Sequence, residues 1–187
     1  KSNVIFEPAA TNIEKDEVFV FNNHGFFGYF EGKQMLPFEL TVIHPENLFG
    51  GTALEKEEKN KTTDIFKAPN YNALVDGPIM YAPLDTAMIK VGQADVLIQV
   101  FSRTGRVKAK DLIADIKPIL EAQREYLGGN LPVDHYAFLI FLEKEGVSYL
   151  SGAAGALEHS YSSFYCLFEG EASAIAQTIR DVAAHEF

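Results

Sequence analysis

Apolar and polar positions along this chain follow a short period first, a helical period later, and then both in turn. In the first third, brief apolar runs alternate with turn chemistry. Val18-Phe19-Val20-Phe21 is one such run, and Asn22-Asn23-His24-Gly25 after it suits a turn. Phe26-Phe27-Gly28-Tyr29-Phe30 is a second run, closed by Glu31-Gly32. From Phe38 to His44-Pro45 apolar and polar residues alternate. A period of two places Phe38, Leu40 and Val42 on one face, as a half-buried antiparallel strand requires. Glu55-Lys56-Glu57-Glu58-Lys59-Asn60-Lys61 is charged and mixed in sign, the pattern of a solvated hairpin or loop. These features predict a small antiparallel sandwich.

Asp76-Gly77-Pro78 is a strong turn signal, because glycine permits positive φ and proline fixes its own. A boundary there divides the chain into a β domain over 1–76 and a second unit over 77–187. Ile79-Met80-Tyr81-Ala82, Ala87-Met88-Ile89-Lys90-Val91 and Asp95-Val96-Leu97-Ile98-Gln99-Val100-Phe101 read as strands. The last of these is nearly continuous in apolar character and predicts an interior strand. Over 108–127 the period lengthens, and Leu112, Ile113, Ile116, Ile119, Leu120 and Leu127 share one helical face. Gly128-Gly129 supplies a stop. Pro118 lies inside the pattern and should kink or split the helix. His135-Tyr136-Ala137-Phe138-Leu139-Ile140-Phe141-Leu142 is the most strand-like run, turned by Glu143-Lys144-Glu145-Gly146. A Gly/Ala loop over 151–155 follows. The final segment, 171–187, is helical, with Ala172, Ile175, Ala176, Ile179, Val182 and Ala183 forming a narrow stripe.

The expected fold class is α+β, an N-terminal antiparallel β-sandwich-like domain followed by a unit of sheet and helices. A length of 187 residues suits one large domain or two small ones, and 47% apolar residues is ordinary for a globular chain. Fifteen Phe and eight Tyr with no Trp favour strand-rich packing. A net charge of −10 argues against nucleic acid as the main partner and mildly favours a cationic ligand, such as a free amino terminus. The single cysteine, Cys166, excludes an intramolecular disulfide and reads as a small buried hydrophobe. No apolar stretch reaches the ~18 residues of a membrane span. Residues 1–20 hold no signal-peptide apolar region, and the compartment is left open.

Two stretches carry candidate chemistry. One is Gly155-Ala156-Leu157-Glu158-His159, and the other is Ala184-His185-Glu186-Phe187 at the end of the last helix. His-Glu on a helix is the first half of H-E-x-x-H, in which two histidines share a face to bind zinc and the Glu is general base. At about 100° per residue, His185 falls at the edge of the apolar stripe and Glu186 within it. An inward carboxylate is costly unless partnered, which calls for a reason. Catalysis is one, and a frayed last turn is the other.

The two stretches together resemble the glycyl aminopeptidase-like family of gluzincin, or thermolysin-type, zinc metallopeptidases. Members carry a Gly-Gly-Leu-Glu-His-like edge-strand motif and then a helix opening with Ala-His-Glu-Phe-Phe-His. Tyr71-Asn72-Ala73-Leu74-Val75-Asp76-Gly77-Pro78-Ile79 is similar to the family's junction between β and catalytic domains, and Tyr136-Ala137-Phe138-Leu139 to the strand before its Gly-rich loop. The resemblance implies that 77–187 is the N-terminal half of a thermolysin-like peptidase domain. It implies that Glu158 binds the substrate's free α-ammonium while the backbones of Gly155 and Ala156 pair with the peptide. His185 would be the first zinc ligand, and Glu186 would activate water and protonate the leaving amine. His159 receives no firm role.

In the family pattern the second histidine and the further ligands follow Phe187. The chain is therefore expected to be a front fragment of a zinc aminopeptidase for small N-terminal residues, Gly or Ala, with no zinc bound and no activity of its own. An exposed last helix, 171–187, would invite self-association. The alternatives are a fragment of an alanyl/leucyl-type gluzincin aminopeptidase, whose comparable motif ends in Asn where His159 stands, and a non-catalytic β-rich binding module.

Overall fold

A computed structural model describes residues 11–144 and 155–186, with side chains as far as Val182 in the last helix. The first part contributes β1 (Asn12–Glu14), β2 (Val18–Phe21), β3 (Phe38–Ile43), β4 (Phe49–Gly51), β5 (Glu55–Asn60), β6 (Thr63–Ala68), α1 (Tyr71–Val75) and β7 (Ile79–Ala82). The second contributes β8 (Thr86–Val91), β9 (Ala94–Ser102), α2 (Ile113–Tyr126), β10 (His135–Glu143), β11 (Gly155–His159), β12 (Ser162–Phe168) and α3 (Ala172–Glu186). The fold is α+β.

The strands form three sheets, ordered β1-β2-β7-β4, β3-β6-β5 and β11-β12-β10-β9-β8. The first two are antiparallel throughout. In the third, β10 runs parallel to both β9 and β12, while β8 and β11 run antiparallel at the two edges. Alternation of side chains along each strand decides how these sheets stack. Tyr136, Phe138, Ile140 and Leu142 of β10 meet Leu112, Ile116, Leu120, Ile175 and Ile179 of the helical layer. Ala137, Leu139 and Phe141 point the other way, onto Val18, Val20, Met80 and Ala82. The opposite face of that sheet carries Ile79 and Tyr81 against Phe66 and, less buried, Leu40 and Val42. Helices, mixed sheet and two antiparallel sheets thus stack in order, with β7, β10 and β12 of the middle layers buried on both sides.

Several elements differ from the sequence expectation. Phe26 to Phe30 form no strand: Asn23–Gly25 turn as a 3-10 helix, and the backbone that follows joins none of the three sheets. Their rings pack locally instead, Phe26 on Phe21 at 5.1 Å and Tyr29 on Tyr71 at 4.6 Å between centroids. Phe30 is left 85% exposed. Pro118 neither splits nor ends α2. Ala114 and Pro118 both lie on the exposed side, so the carbonyl left without an intrahelical donor is open to solvent. Leu127 is 47% exposed, outside the buried stripe. Gly128 and Gly129 do end the helix, with φ of +88° and +103°.

The strand after Asp76-Gly77-Pro78, β7, is hydrogen-bonded into the first sheet between β2 and β4. It lies past the turn at 76–78 yet completes the N-terminal sheet. In α3, Ile175, Ala176 and Ile179 are buried against the mixed sheet and α2, while Ser173, Gln177, Thr178 and Asp181 face outward. Among the described residues the helix therefore turns a polar face to solvent. The Gly/Ala loop over 151–154 and Phe187 lie outside the described residues.

Candidate functional site

β11 is the edge strand of the five-stranded sheet, paired on one side with β12. Its register sets Glu158 opposite Ser163 and His159 opposite Ser162. Ala156 packs into the core beneath the helices, and Leu157 into the core shared with the N-terminal sheet. Period-two alternation then places Glu158 on the helix-bearing face and His159 on the face toward the N-terminal unit. Glu158 is exposed. Gly155 has open space where a Cβ would stand, so no neighbour in this chain demands a glycine there.

A chain of hydroxyls lies on the Glu158 side. Tyr136 donates to Ser163 Oγ at 3.2 Å, and Ser163 donates to Tyr165 at 3.2 Å. All three side chains are buried. A network of that kind holds β12 against β10 and gives the edge strand a rigid backing.

On the opposite face His159 is half-buried. Burial lowers its pKa below the ordinary histidine value, with Asp76 the largest opposing influence. His24 also stands close enough to be felt. Asp76 accepts the Ser160 backbone N–H with both carboxylate oxygens, at 3.1 and 3.3 Å. The sequence marked Asp76 only as a turn former, and no local pattern signals a contact that spans 84 residues.

Of the site residues read from the sequence, Gly155, Ala156 and Glu158 share one strand, and His185 and Glu186 lie on α3, on the same side of the sheet as Glu158. The directions of the His185 and Glu186 side chains lie outside the described residues. Clefts of about 500 and 550 Å³ run between the loop at 53–55 and His135, the second lined also by Asp76 and Tyr161, and neither reaches Glu158. Among the described residues no three of His, Cys, Asp and Glu come together as a metal would require. These residues alone do not fit a zinc centre.

The stacked β unit, mixed sheet and helices resemble part of a solved aminopeptidase N family structure. The crystal structure of an aminopeptidase N family protein from Idiomarina loihiensis matches with a TM-score of 0.75, over 91% of this chain and 30% of its own, at 23% identity. Residues 4–83 match the family model described as Peptidase M61 N-terminal domain. Residues 4–83 are thus similar to the N-terminal domain of the peptidase M61 family, the glycyl aminopeptidase group that the motifs further along resemble. Comparison with curated proteins gave no match. The chain spans 30% of the length of the solved aminopeptidase N family structure.

Proposed function

We propose that this chain is the N-terminal region of a zinc aminopeptidase that removes small residues, Gly or Ala, from peptides with a free amino terminus. One observation carries the reading: an exposed carboxylate, Glu158, stands on an open edge strand, on the sheet face that also bears the His185-Glu186 helix. An edge strand offers unpaired backbone groups that a peptide can extend as a further strand. Gly155 and Ala156 would supply those groups, and the absence of any packing demand for Gly155 supports close approach there. Glu158 would pair with the peptide's α-ammonium and set how much of the peptide passes the edge. Zinc, when bound, supplies a Lewis acid and an activated water. His185 would be one of the three ligands such a site needs. Glu186 would take the water's proton and pass it to the leaving amine.

An alanyl/leucyl-type aminopeptidase is the rival, favoured by the fold match to an aminopeptidase N family protein. The M61 match over 4–83 and His159 in place of that group's Asn weigh against it. The test is steady-state hydrolysis by the longest natural protein containing this chain, with glycyl, alanyl and leucyl p-nitroanilides and their N-acetyl forms. Glu158→Gln should raise KM for free-amine substrates about tenfold or more, the loss of one charge-assisted contact. Equal cleavage of acetylated and free substrates by the wild type would defeat the proposal.

A further inference from the structure

Asp76 is held in place from several directions. The Asn70 side chain caps α1 by accepting the Ala73 N–H at 2.9 Å. Asn23, fully buried, donates from Nδ2 to the carbonyls of Leu74 and Gly77 at 2.9 and 2.7 Å. Those two carbonyls bracket Asp76 in the chain. Its own N–H donates to Asn72 O at 3.0 Å. The backbone carrying this carboxylate is thereby fixed to the N-terminal unit, on the last turn of α1.

The other end of the contact is less secured. β11 is an edge strand, hydrogen-bonded along one side to β12. Ser160 follows it directly and gives its N–H to the Asp76 carboxylate. A backbone N–H to an ionised carboxylate is among the stronger hydrogen bonds, and this one, exposed to solvent, reaches both carboxylate oxygens.

We infer that Asp76 is a positioning residue, which pins the turn after β11 to the N-terminal unit and so sets where Glu158 meets the substrate's amino group. The inference rests on the proposed function and adds to it a residue that touches no substrate. Glu158 lies two positions from the pinned amide. Displacement of a binding group by about 1 Å is enough to cost a large factor in turnover or binding. His159 is the residue between them. Its half-buried ring lies on the face toward the N-terminal unit, close enough to Asp76 and His24 to feel both, so the pin acts on the same short segment.

The test joins a structural and a kinetic arm. In the 187-residue chain, amide hydrogen exchange at Ser160 should quicken about tenfold or more in Asp76→Ala and less in Asp76→Asn, which keeps an acceptor oxygen. Exchange in β9 and β10 should not change. In the active protein, Asp76→Ala should raise KM for free-amine substrates about tenfold with kcat within about twofold, and Asp76→Asn should fall between. Unchanged Ser160 exchange overturns the pin. Faster exchange with both kinetic constants unchanged overturns the positioning role. So does a fall in kcat and thermal midpoint with KM unmoved, which marks a merely structural residue. A wild type without preference for free amino termini defeats the proposed function and the positioning role with it, while the exchange arm separately reports whether Asp76 holds the turn.

Discussion

Tyr81 of β7 donates its hydroxyl hydrogen to Asp64 of β6 at 2.8 Å, joining the two antiparallel sheets through a fully buried pair. Burial, and then the hydrogen bond to Asp64, push the tyrosine's pKa well above its ordinary value, so it remains a donor. His44 and Lys56 approach the same carboxylate oxygen at 3.5 and 4.0 Å. Tyr81→Phe removes the shortest of these contacts and leaves a buried oxygen under-satisfied. A loss of about 1–3 kcal/mol is expected from urea unfolding. No change would mean that His44 and Lys56 suffice.

Arg103 plays the corresponding part between the N-terminal strand and the mixed sheet. Its guanidinium binds Glu143 at 3.0 Å, Glu17 at 2.7 Å and Glu14, and lies 4.9 Å above the Phe101 ring. Arg103→Met would leave the buried Glu143 without its cation, at a cost of about 3 kcal/mol or more. Faster exchange should appear first in β1, since Glu14 loses its tie to the sheet.

Glu169 gives the pH dependence a sign. Burial alone would raise its pKa, but hydrogen bonds from Ser102, Thr104 and the Arg106 backbone outweigh this and hold it below the ordinary glutamate value. A carboxyl lowered in the folded state adds stability that is fully present above its unfolded pKa and lost as pH falls through the folded one. Glu169→Gln should therefore flatten part of the acid limb below the usual glutamate range and leave the slope near neutrality alone. Denaturant midpoints measured across that range decide it.

Gly51 sits where β4 meets the mixed sheet. A Cβ there would stand 1.8 Å from Gln99 Oε1, and Gln99 is fully buried with its Nε2 bonded to Phe49 O at 3.0 Å. Gly51→Ala should cost about 1–3 kcal/mol by overpacking. Gly28→Ala is the control, with nothing within 4 Å of its Cβ, and should shift the unfolding midpoint little.

Glu158→Gln should leave stability within about 0.5 kcal/mol, because the side chain is exposed. A large loss in thermal unfolding would show that the carboxylate serves the fold rather than a ligand.

What could be read from the sequence was local. The run from His135 to Leu142 announced a buried strand because every position after His135 is apolar, and β10 has all but its first residue buried. The 3.6-residue stripe gave α2, and the alternation at Phe38, Leu40 and Val42 gave β3 its inner face. The motif at Gly155 to His159 was visible as a strand, and the resemblance to the M61 group followed from motifs in order. Tertiary structure decided the rest. Sheet membership of β7, the exposed path of Phe26 to Phe30 and the tolerance of Pro118 depend on which neighbours are present, not on residue type. The opposite facing of Glu158 and His159 needed the layer on each side of β11 to be known. Asp76 needed more, since its partner Ser160 lies 84 residues away. Periodicity reports which face of an element is buried. It carries no information on what lies across that face, because the partner is chosen by packing among distant segments.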